Sequence, residues 1–268
     1  MSGMELPMRT MILVDKIRSG GLRIACFLRT GYYYSSGERV NPDVPDTNFR
    51  NHFKVYRFIR QFAGSKDVID VGCGMGYGTA HLAEVAKSVV GIDISAPAIN
   101  WARKRYPGVR YVHMDAQRLQ FPDRSFDLIV STENFEHLAD QKGHVMELAR
   151  VLRPDGLCFV ATPNPEMFTE SHNPYHTKEN SFDELMKLFL DDFQTVSILE
   201  NMTEPHTKEG QGMRKRRREE GRIGVSTLNG VDITWLHNTH SFFCFCQEPI
   251  VRRERGLDAD GRREYSEQ

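Results

Sequence analysis

Two groups of side chains have the residue types and spacing that chemistry requires. The first is a carboxylate, Asp70, followed by glycines at every second position from Gly72 to Gly78. A backbone without side chains lets a ligand approach closely, and the acid would attract a cationic ligand. The second group consists of carboxylates and imidazoles, at Glu133, Glu136, His137 and His176. Such groups can take a proton or hold a metal ion.

The glycine spacing excludes two common nucleotide motifs. A P-loop needs Lys before Ser or Thr after its last glycine, but Gly78 is followed directly by Thr79. A dinucleotide fingerprint would need glycine in place of Tyr77 or Thr79. Asp70 would also repel a pyrophosphate at the following helix N-terminus. The same carboxylate suits a ligand that carries an ammonium and a sulfonium group.

Hydrophobic periodicity predicts the elements that position these residues. A helix starts at Asn48 and ends near Gly64, and a second covers 79–86. Further helices are predicted after caps at Ser95, Asp140 and Ser181, the last with a capping box. The predicted strands are one ending at residue 70 and those at 88–93, 109–114, 127–131, 157–162, 193–199 and 240–246. The carboxyl ends of parallel strands share one edge, where an open α/β sheet binds its ligands.

Composition narrows the class of protein. The chain has 268 residues and a net charge of −1, which fits one decorated domain and no general attraction to nucleic acid or anionic membranes. The five cysteines are scattered without a C-x-x-C pair, so we interpret them as buried thiols in a reducing, cytoplasmic compartment. No apolar run is long enough to span a membrane. The N-terminus resembles neither a signal peptide nor an anchor.

The Asp-x-Gly-x-Gly loop, with Asp93 ending the next strand, and the run 126–164 resemble the class I S-adenosylmethionine-dependent methyltransferases. Within that class the chain looks like the type 11 bacterial enzymes that act on small molecules or glycans. The resemblance implies an α/β, Rossmann-like, seven-stranded sheet whose last strand is antiparallel beside the fifth, and S-adenosylmethionine as cofactor. It implies cofactor contacts at Asp70, Gly72, Cys73, Gly74, Gly76, Asp93, Ile94, Asp115, Ala116 and Thr132.

Three regions are expected. Residues 1–47 form an N-terminal lid or extension, 48–250 the methyltransferase domain with a polar, basic insert at about 204–224, and 251–268 a charged, disordered tail. The basic run 214–218 could touch phosphates, lipid headgroups or RNA, but a solvated loop is the preferred interpretation. The candidate lid residues, which could equally be surface packing, are Tyr32, Tyr33, Tyr34, Arg39, His52 and Tyr56.

The expected reaction is methyl transfer to a small-molecule or glycan acceptor, at a hydroxyl group that needs a base. His137, Glu133 and His176 are the candidate catalytic residues, with His172 nearby; His137 ranks first, against the alternative that it only packs at the sheet edge. We expect no metal ion, no membrane and no nucleic-acid partner, and make no prediction of oligomeric state.

Three alternatives remain open. One is carbon methylation of a quinone-like ring, and another is a cofactor-binding protein without activity. The third is a metal-assisted RNA 2′-O-methyltransferase. For that alternative, Glu133, Glu136, His137 and His176 resemble the metal-binding set of the small-RNA 3′-end enzymes.

Overall fold

The structure is a computed structural model. It describes residues 40–43, 47–165, 173–200, 227–228, 231–232, 241–250, 252–257 and 263–267. The candidate lid residues Tyr32, Tyr33, Tyr34 and Arg39, together with His172 and the basic run 214–218, lie outside the described residues. In the part of the chain that the structure describes, no helix has the length and apolar character needed to cross a bilayer.

Five helices and one large sheet make up the described domain. The helices are α1 (Thr47–Ile59), α2 (Tyr77–Ala83), α3 (Ala96–Arg105), α4 (Gln141–Val151) and α5 (Phe182–Leu190), with short 3₁₀ turns at Arg60–Phe62 and Phe135–His137. The first six strands are β1 (Asp67–Val71), β2 (Ser88–Asp93), β3 (Arg110–His113), β4 (Phe126–Thr132), β5 (Leu152–Pro163) and β6 (Phe193–Glu200). The later strands are β7 (Thr227–Leu228), β8 (Val231–Asp232), β9 (Ser241–Pro249), β10 (Arg252–Leu257) and β11 (Arg263–Glu267).

The sheet has seven strands in the order β3-β2-β1-β4-β5-β9-β6. β1 to β5 pair in parallel, whereas β9 runs antiparallel between β5 and β6. This confirms the predicted α/β sheet with its antiparallel last strand. The strand order reverses between β1 and β4, which opens a crevice at their carboxyl ends.

Both faces of the sheet are covered, and β9 illustrates how. Cys244 and Cys246 pack in the core on the side of α4 and α5. Phe243 and Phe245 pack in the core on the side of α1 and α2. Successive side chains of a strand point to opposite faces, so the two cysteines share one buried face. The described cysteines are free and buried.

Three predicted helix caps are present. Ser95 accepts a hydrogen bond of 3.3 Å from the Ala98 amide, and Asp140 accepts one of 2.8 Å from the Gly143 amide. Ser181 and Glu184 form the reciprocal capping box of α5. Each side chain satisfies an amide that the first helical turn leaves unpaired. These caps fix where the loops at the sheet edge end.

Several elements differ from prediction, and three of the differences have a clear structural basis. α2 begins at Tyr77 because the left-handed Gly76, at φ 76°, already ends the loop. β5 begins at Leu152, since a register irregularity lets Leu152 pair with Phe126 ahead of the regular ladder. The tail was expected to be disordered, but β10 and β11 pair as an antiparallel ribbon.

Candidate functional site

The glycine loop follows β1 and leaves one backbone face open. Gly72, Gly74 and Gly76 all have positive φ, at 76°, 53° and 76°, a conformation that favours glycine. The amides of Gly72 and Cys73 donate to the Ile92 carbonyl at 2.9 and 2.8 Å, which ties the loop to β2. A Cβ added at Gly74 would meet nothing within 4 Å. A ligand can therefore lie directly against the Gly74 backbone.

Asp70 lies beneath this loop in a buried hydroxyl network. It has no exposed surface, and its carboxylate accepts hydrogen bonds from Thr79 at 2.6 Å and from Tyr56 at 3.1 and 3.3 Å. Thr132 donates to the Tyr56 hydroxyl at 3.0 Å. Desolvation raises the pKa of Asp70 to about 7, since it outweighs the hydrogen bonds from Thr79 and Tyr56. The network joins α1, β1, α2 and the end of β4.

Asp93 and Ile94, at the end of β2, flank the open side of the loop. Asp93 accepts from the Gly74 amide at 2.9 Å and from the Ser95 amide at 2.7 Å. Ile94 is 63% exposed and lies directly after Asp93. The pair presents a carboxylate and an apolar surface next to each other. Such a pair can bind a sugar hydroxyl and the face of a ring.

Asp115 and Ala116 follow β3 and are held by local hydrogen bonds. Asp115 accepts from the Gln117 amide at 2.8 Å through Oδ1, as in an Asx turn. The Ala116 carbonyl accepts from Nδ1 of His144 at 2.8 Å. His144 is fully buried, and desolvation lowers its pKa to about 4. Near neutral pH it is therefore an uncharged donor to this loop.

Further along α4, two more side chains hold the loop that follows β3. Glu147 accepts from the Leu119 amide at 2.7 Å, and Arg150 donates to the Leu119 carbonyl at 2.8 Å. The sequence analysis did not identify this support. This support could have been predicted, because residues 144, 147 and 150 share one face of a helix.

Two carboxylates, Glu133 and Glu136, follow the end of β4. Glu133 has a positive φ of 48° and accepts from the Ser241 hydroxyl at 2.8 Å. Desolvation raises its pKa to about 7. Glu136 is 1% exposed and accepts from the Thr162 hydroxyl at 3.2 Å. Burial, and then the nearby Glu133 charge, raise the pKa of Glu136.

Two imidazoles lie beside Glu136. Nδ1 of His137 is 3.0 Å from the Tyr175 carbonyl, and Nδ1 of His176 contacts the Glu179 carboxylate. The two rings are 5.0 Å apart in a T-shaped arrangement. Glu136, His137 and His176 each offer a ligand atom, and these atoms lie within 4.8 Å of one another. Glu133 is outside that set.

The structure thus brings the sequence-predicted residues to one edge, where they lie in two groups. The glycine loop, Asp93 and Ile94 form one half, and Glu133, Glu136, His137 and His176 form the other. Sequence reasoning missed Thr162, Ser241 and Glu179. The first two could have been found from topology: β9 is antiparallel and Ser241 pairs with Pro163 at the same edge. Of the lid candidates, Tyr56 in α1 reaches the network around Asp70.

Comparison with known proteins agrees with this geometry. Residues 69–160 match the family model described as a methyltransferase domain. A Mycobacterium tuberculosis protein named "Probable S-adenosylmethionine-dependent methyltransferase" is 40% identical over 162 residues, covering 58% of this chain and 59% of that protein. The fatty-acid O-methyltransferase of Mycolicibacterium smegmatis is 36% identical over 104 residues, or 37% of this chain and 38% of that enzyme. The chain therefore spans about 59% of the curated relatives it matches first.

Solved structures share the fold. A protein of Pyrococcus horikoshii aligns with a TM-score of 0.56 at 17% identity, covering 79% of this chain and 98% of that one. At that identity the likeness shows the fold alone. The segment 69–160, which carries the glycine loop, is thus similar in sequence to a methyltransferase domain, and the sheet around it has the strand order of an open α/β fold.

Proposed function

We propose that the protein transfers the methyl group of S-adenosylmethionine to a hydroxyl oxygen of a small-molecule or glycan acceptor. One observation carries this proposal. The open backbone of Gly74 and the carboxylate–imidazole group after β4 follow adjacent parallel strands, so they share one sheet edge. A cofactor on the loop and an acceptor at the second group would meet there.

The cofactor half fits S-adenosylmethionine part by part. The open Gly74 backbone can receive the methionine portion. Asp93 would take the ribose hydroxyls, and the exposed Ile94 would pack on the adenine ring. Asp115 and Ala116 would border the adenine edge. Asp70 has no exposed surface, so its part is to support the loop from below and to place negative charge near the ammonium and sulfonium groups.

The acceptor half supplies a base. S-adenosylmethionine provides an electrophilic methyl group: as the acceptor oxygen bonds to the methyl carbon, the carbon–sulfur bond breaks and the sulfonium becomes a neutral thioether. The hydroxyl proton must leave, and Glu133, with a pKa of about 7, can accept it near neutral pH. His137 is another group at this edge that can take a proton. Alignment of acceptor and methyl supplies most of the remaining rate enhancement.

Oxygen is favoured as the methylated atom for two reasons. A hydroxyl acceptor needs a base of the kind that Glu133 provides. In addition, the name of the M. smegmatis relative specifies O-methylation of fatty acids. That name belongs to the relative, and for this chain it supports the acceptor atom only.

Titration calorimetry of the full chain with S-adenosylmethionine and S-adenosylhomocysteine tests the cofactor. The informative variant is Asp93→Asn, which keeps shape but removes the charge facing the ribose; the matched control is the exposed Asp155→Asn. We expect micromolar binding by the wild type and the control, weakened at least about tenfold in Asp93→Asn, as for loss of a charged hydrogen bond. No binding by the folded wild type would reject the proposal.

A further inference from the structure

We propose that Glu136, His137 and His176 form a binding site for a first-row divalent transition-metal ion at the acceptor side of the sheet edge. Their ligand atoms lie within 4.8 Å of one another. Only the role given to the ion rests on the proposed function; its binding does not. The sequence analysis expected no metal ion, and the following contacts lead to the opposite inference.

Both imidazoles use Nδ1 for a contact with an oxygen atom, which makes Nε2 the nitrogen that each ring would offer to an ion. Nδ1 of His137 faces a carbonyl oxygen, that of Tyr175, which can only accept. Nδ1 of His176 faces the Glu179 carboxylate. Each neutral ring therefore carries its proton on Nδ1 and its lone pair on Nε2. A metal-ligating histidine is oriented in this way, with the second nitrogen donating to a carbonyl or carboxylate.

Glu136 supplies the anionic ligand. Its carboxylate is 1% exposed, and Oε1 is 3.8 Å from Nε2 of His137. The other oxygen accepts from Thr162. Among the described residues, no lysine or arginine forms an ion pair with Glu136. A buried carboxylate needs a compensating cation or strong hydrogen bonds, and a divalent ion between Glu136 and the imidazoles would compensate its charge.

The backbone brings the ligands together without an ion. The Thr177 amide donates to the Glu136 carbonyl at 2.8 Å, and the Thr177 hydroxyl donates to the His137 carbonyl at 3.1 Å. These bonds fasten the segment that carries His176 to the 3₁₀ turn that carries the other two residues. The site is therefore largely preformed, which reduces the ordering cost of binding an ion.

One contact competes with the ion. The amide nitrogen of Asn173 lies 2.9 Å from Nε2 of His176 and occupies its lone pair. Binding requires this amide to move away. Asn173 lies on a loop segment next to residues outside the described ranges, and its amide is half-buried. We therefore expect Asn173→Ala to bind the ion at least as tightly as the wild type.

The donor set indicates the kind of ion and its use. One carboxylate and two imidazoles suit first-row ions such as Mn²⁺, Fe²⁺, Co²⁺ or Zn²⁺ and leave coordination positions open. An acceptor hydroxyl bound at an open position would have a lower pKa and a fixed orientation. His137 would then be a ligand, which leaves Glu133 as the group that takes the proton.

Titration of the chelator-treated full chain with CoCl₂, followed by calorimetry and by visible absorption, tests the site. We expect saturable binding that His137→Ala and His176→Gln each weaken by more than the 10–100-fold typical of losing an outer-shell partner, and that Glu179→Gln weakens by about tenfold. The matched control is His81→Ala, because His81 also pairs with a glutamate, Glu84, at 3.5 Å. It should bind Co²⁺ as the wild type does.

The site would be overturned by no Co²⁺ binding by the wild type, or by binding that survives in both histidine variants. Equal loss in His81→Ala would do so as well, by showing that any histidine suffices. Melting temperature and S-adenosylhomocysteine affinity, measured on every variant, separate folding from binding. Intact cofactor affinity without Co²⁺ binding would reject the site alone, whereas Co²⁺ binding without cofactor affinity would reject only the proposed function.

Discussion

The hydroxyl of Tyr56, in the helix ahead of the sheet, donates a 3.1 Å hydrogen bond to the buried carboxylate of Asp70 at the end of β1. The same hydroxyl accepts from Thr132 at 3.0 Å. One phenol thus connects α1 with the strand ends on both sides of the crevice. Together with Thr79, it replaces water that the carboxylate loses on burial.

Tyr56→Phe tests the strength of this link. The substitution deprives Asp70 of a donor and Thr132 of an acceptor, both buried, so we expect a loss of about 1–3 kcal/mol in the free energy of unfolding. Urea denaturation at neutral pH measures it. Tyr106→Phe is the control, because the Tyr106 ring, 6.2 Å from the Trp101 ring, keeps its packing in the variant. Equal losses in the two variants would contradict the buried network.

Gly78 is expected to be intolerant of a side chain because of the same phenol. A Cβ at Gly78 would lie 2.1 Å from the Tyr56 ring, which its two hydrogen bonds hold in place. Alanine in a helix interior normally stabilises by up to about 1 kcal/mol over glycine. Here we expect Gly78→Ala to destabilise instead, by about 1–3 kcal/mol, as overpacking does.

Thermal or urea unfolding shows directly whether Gly78→Ala raises or lowers the stability of the protein. Gly64→Ala is the control, since a Cβ there meets nothing within 4 Å. It should be close to neutral. A stabilised Gly78→Ala protein would mean that the Tyr56 ring can move aside.

We expect the protein without cofactor to become less stable as pH rises, because of the raised pKa of Asp70. Its pKa is raised from 3.8 to about 7 in the folded state, chiefly by burial. Between these values the folded state binds more protons than the unfolded state, so stability is full below pH about 4 and is lost as pH rises through about 7. Its closest neighbours are Tyr56 and Thr79, which donate to it, and Asp93, which raises its pKa further.

Unfolding free energies of the wild type and Asp70→Asn, compared from pH 4 to pH 8, test this sign. The variant cannot titrate at this position, so its stability should fall less steeply with pH. Part of the slope should remain, because Glu133 has a raised pKa of the same sign. Identical slopes would mean that Asp70 is already ionised well below pH 7.

Glu133→Gln tests whether Glu133 is the base that takes the acceptor's proton. Gln keeps the shape and can still bond to Ser241, but it cannot accept the acceptor's proton. We expect a fall in kcat of about 10²–10⁴-fold with S-adenosylmethionine affinity unchanged, measured with any acceptor found to be turned over. The half-exposed Glu84→Gln serves as control. Full activity in Glu133→Gln would leave a histidine as the base.

Most of the fold could be predicted from the sequence because the signals for its elements are local. The caps at Ser95, Asp140 and Ser181 and the strand 88–93 act between residues close in the chain, and all were predicted correctly. The glycine loop could be placed for the same reason, since positive φ angles in a strand-to-helix turn require glycine. Boundaries that depend on pairing with a distant strand, such as the start of β5 at Leu152, were not predicted.

The sequence by itself determined the order of the elements, the loop that would receive the cofactor and the residue types available for chemistry, because these follow from short-range periodicity and steric rules. Only the tertiary structure decided which of those residues meet. Tyr56 reaches Asp70, Ser241 reaches Glu133, and His176 reaches Glu136 and His137, across separations that no local pattern encodes. The reason is physical: burial and charge proximity set the protonation and binding properties of these groups, and both arise only when the strands and helices pack.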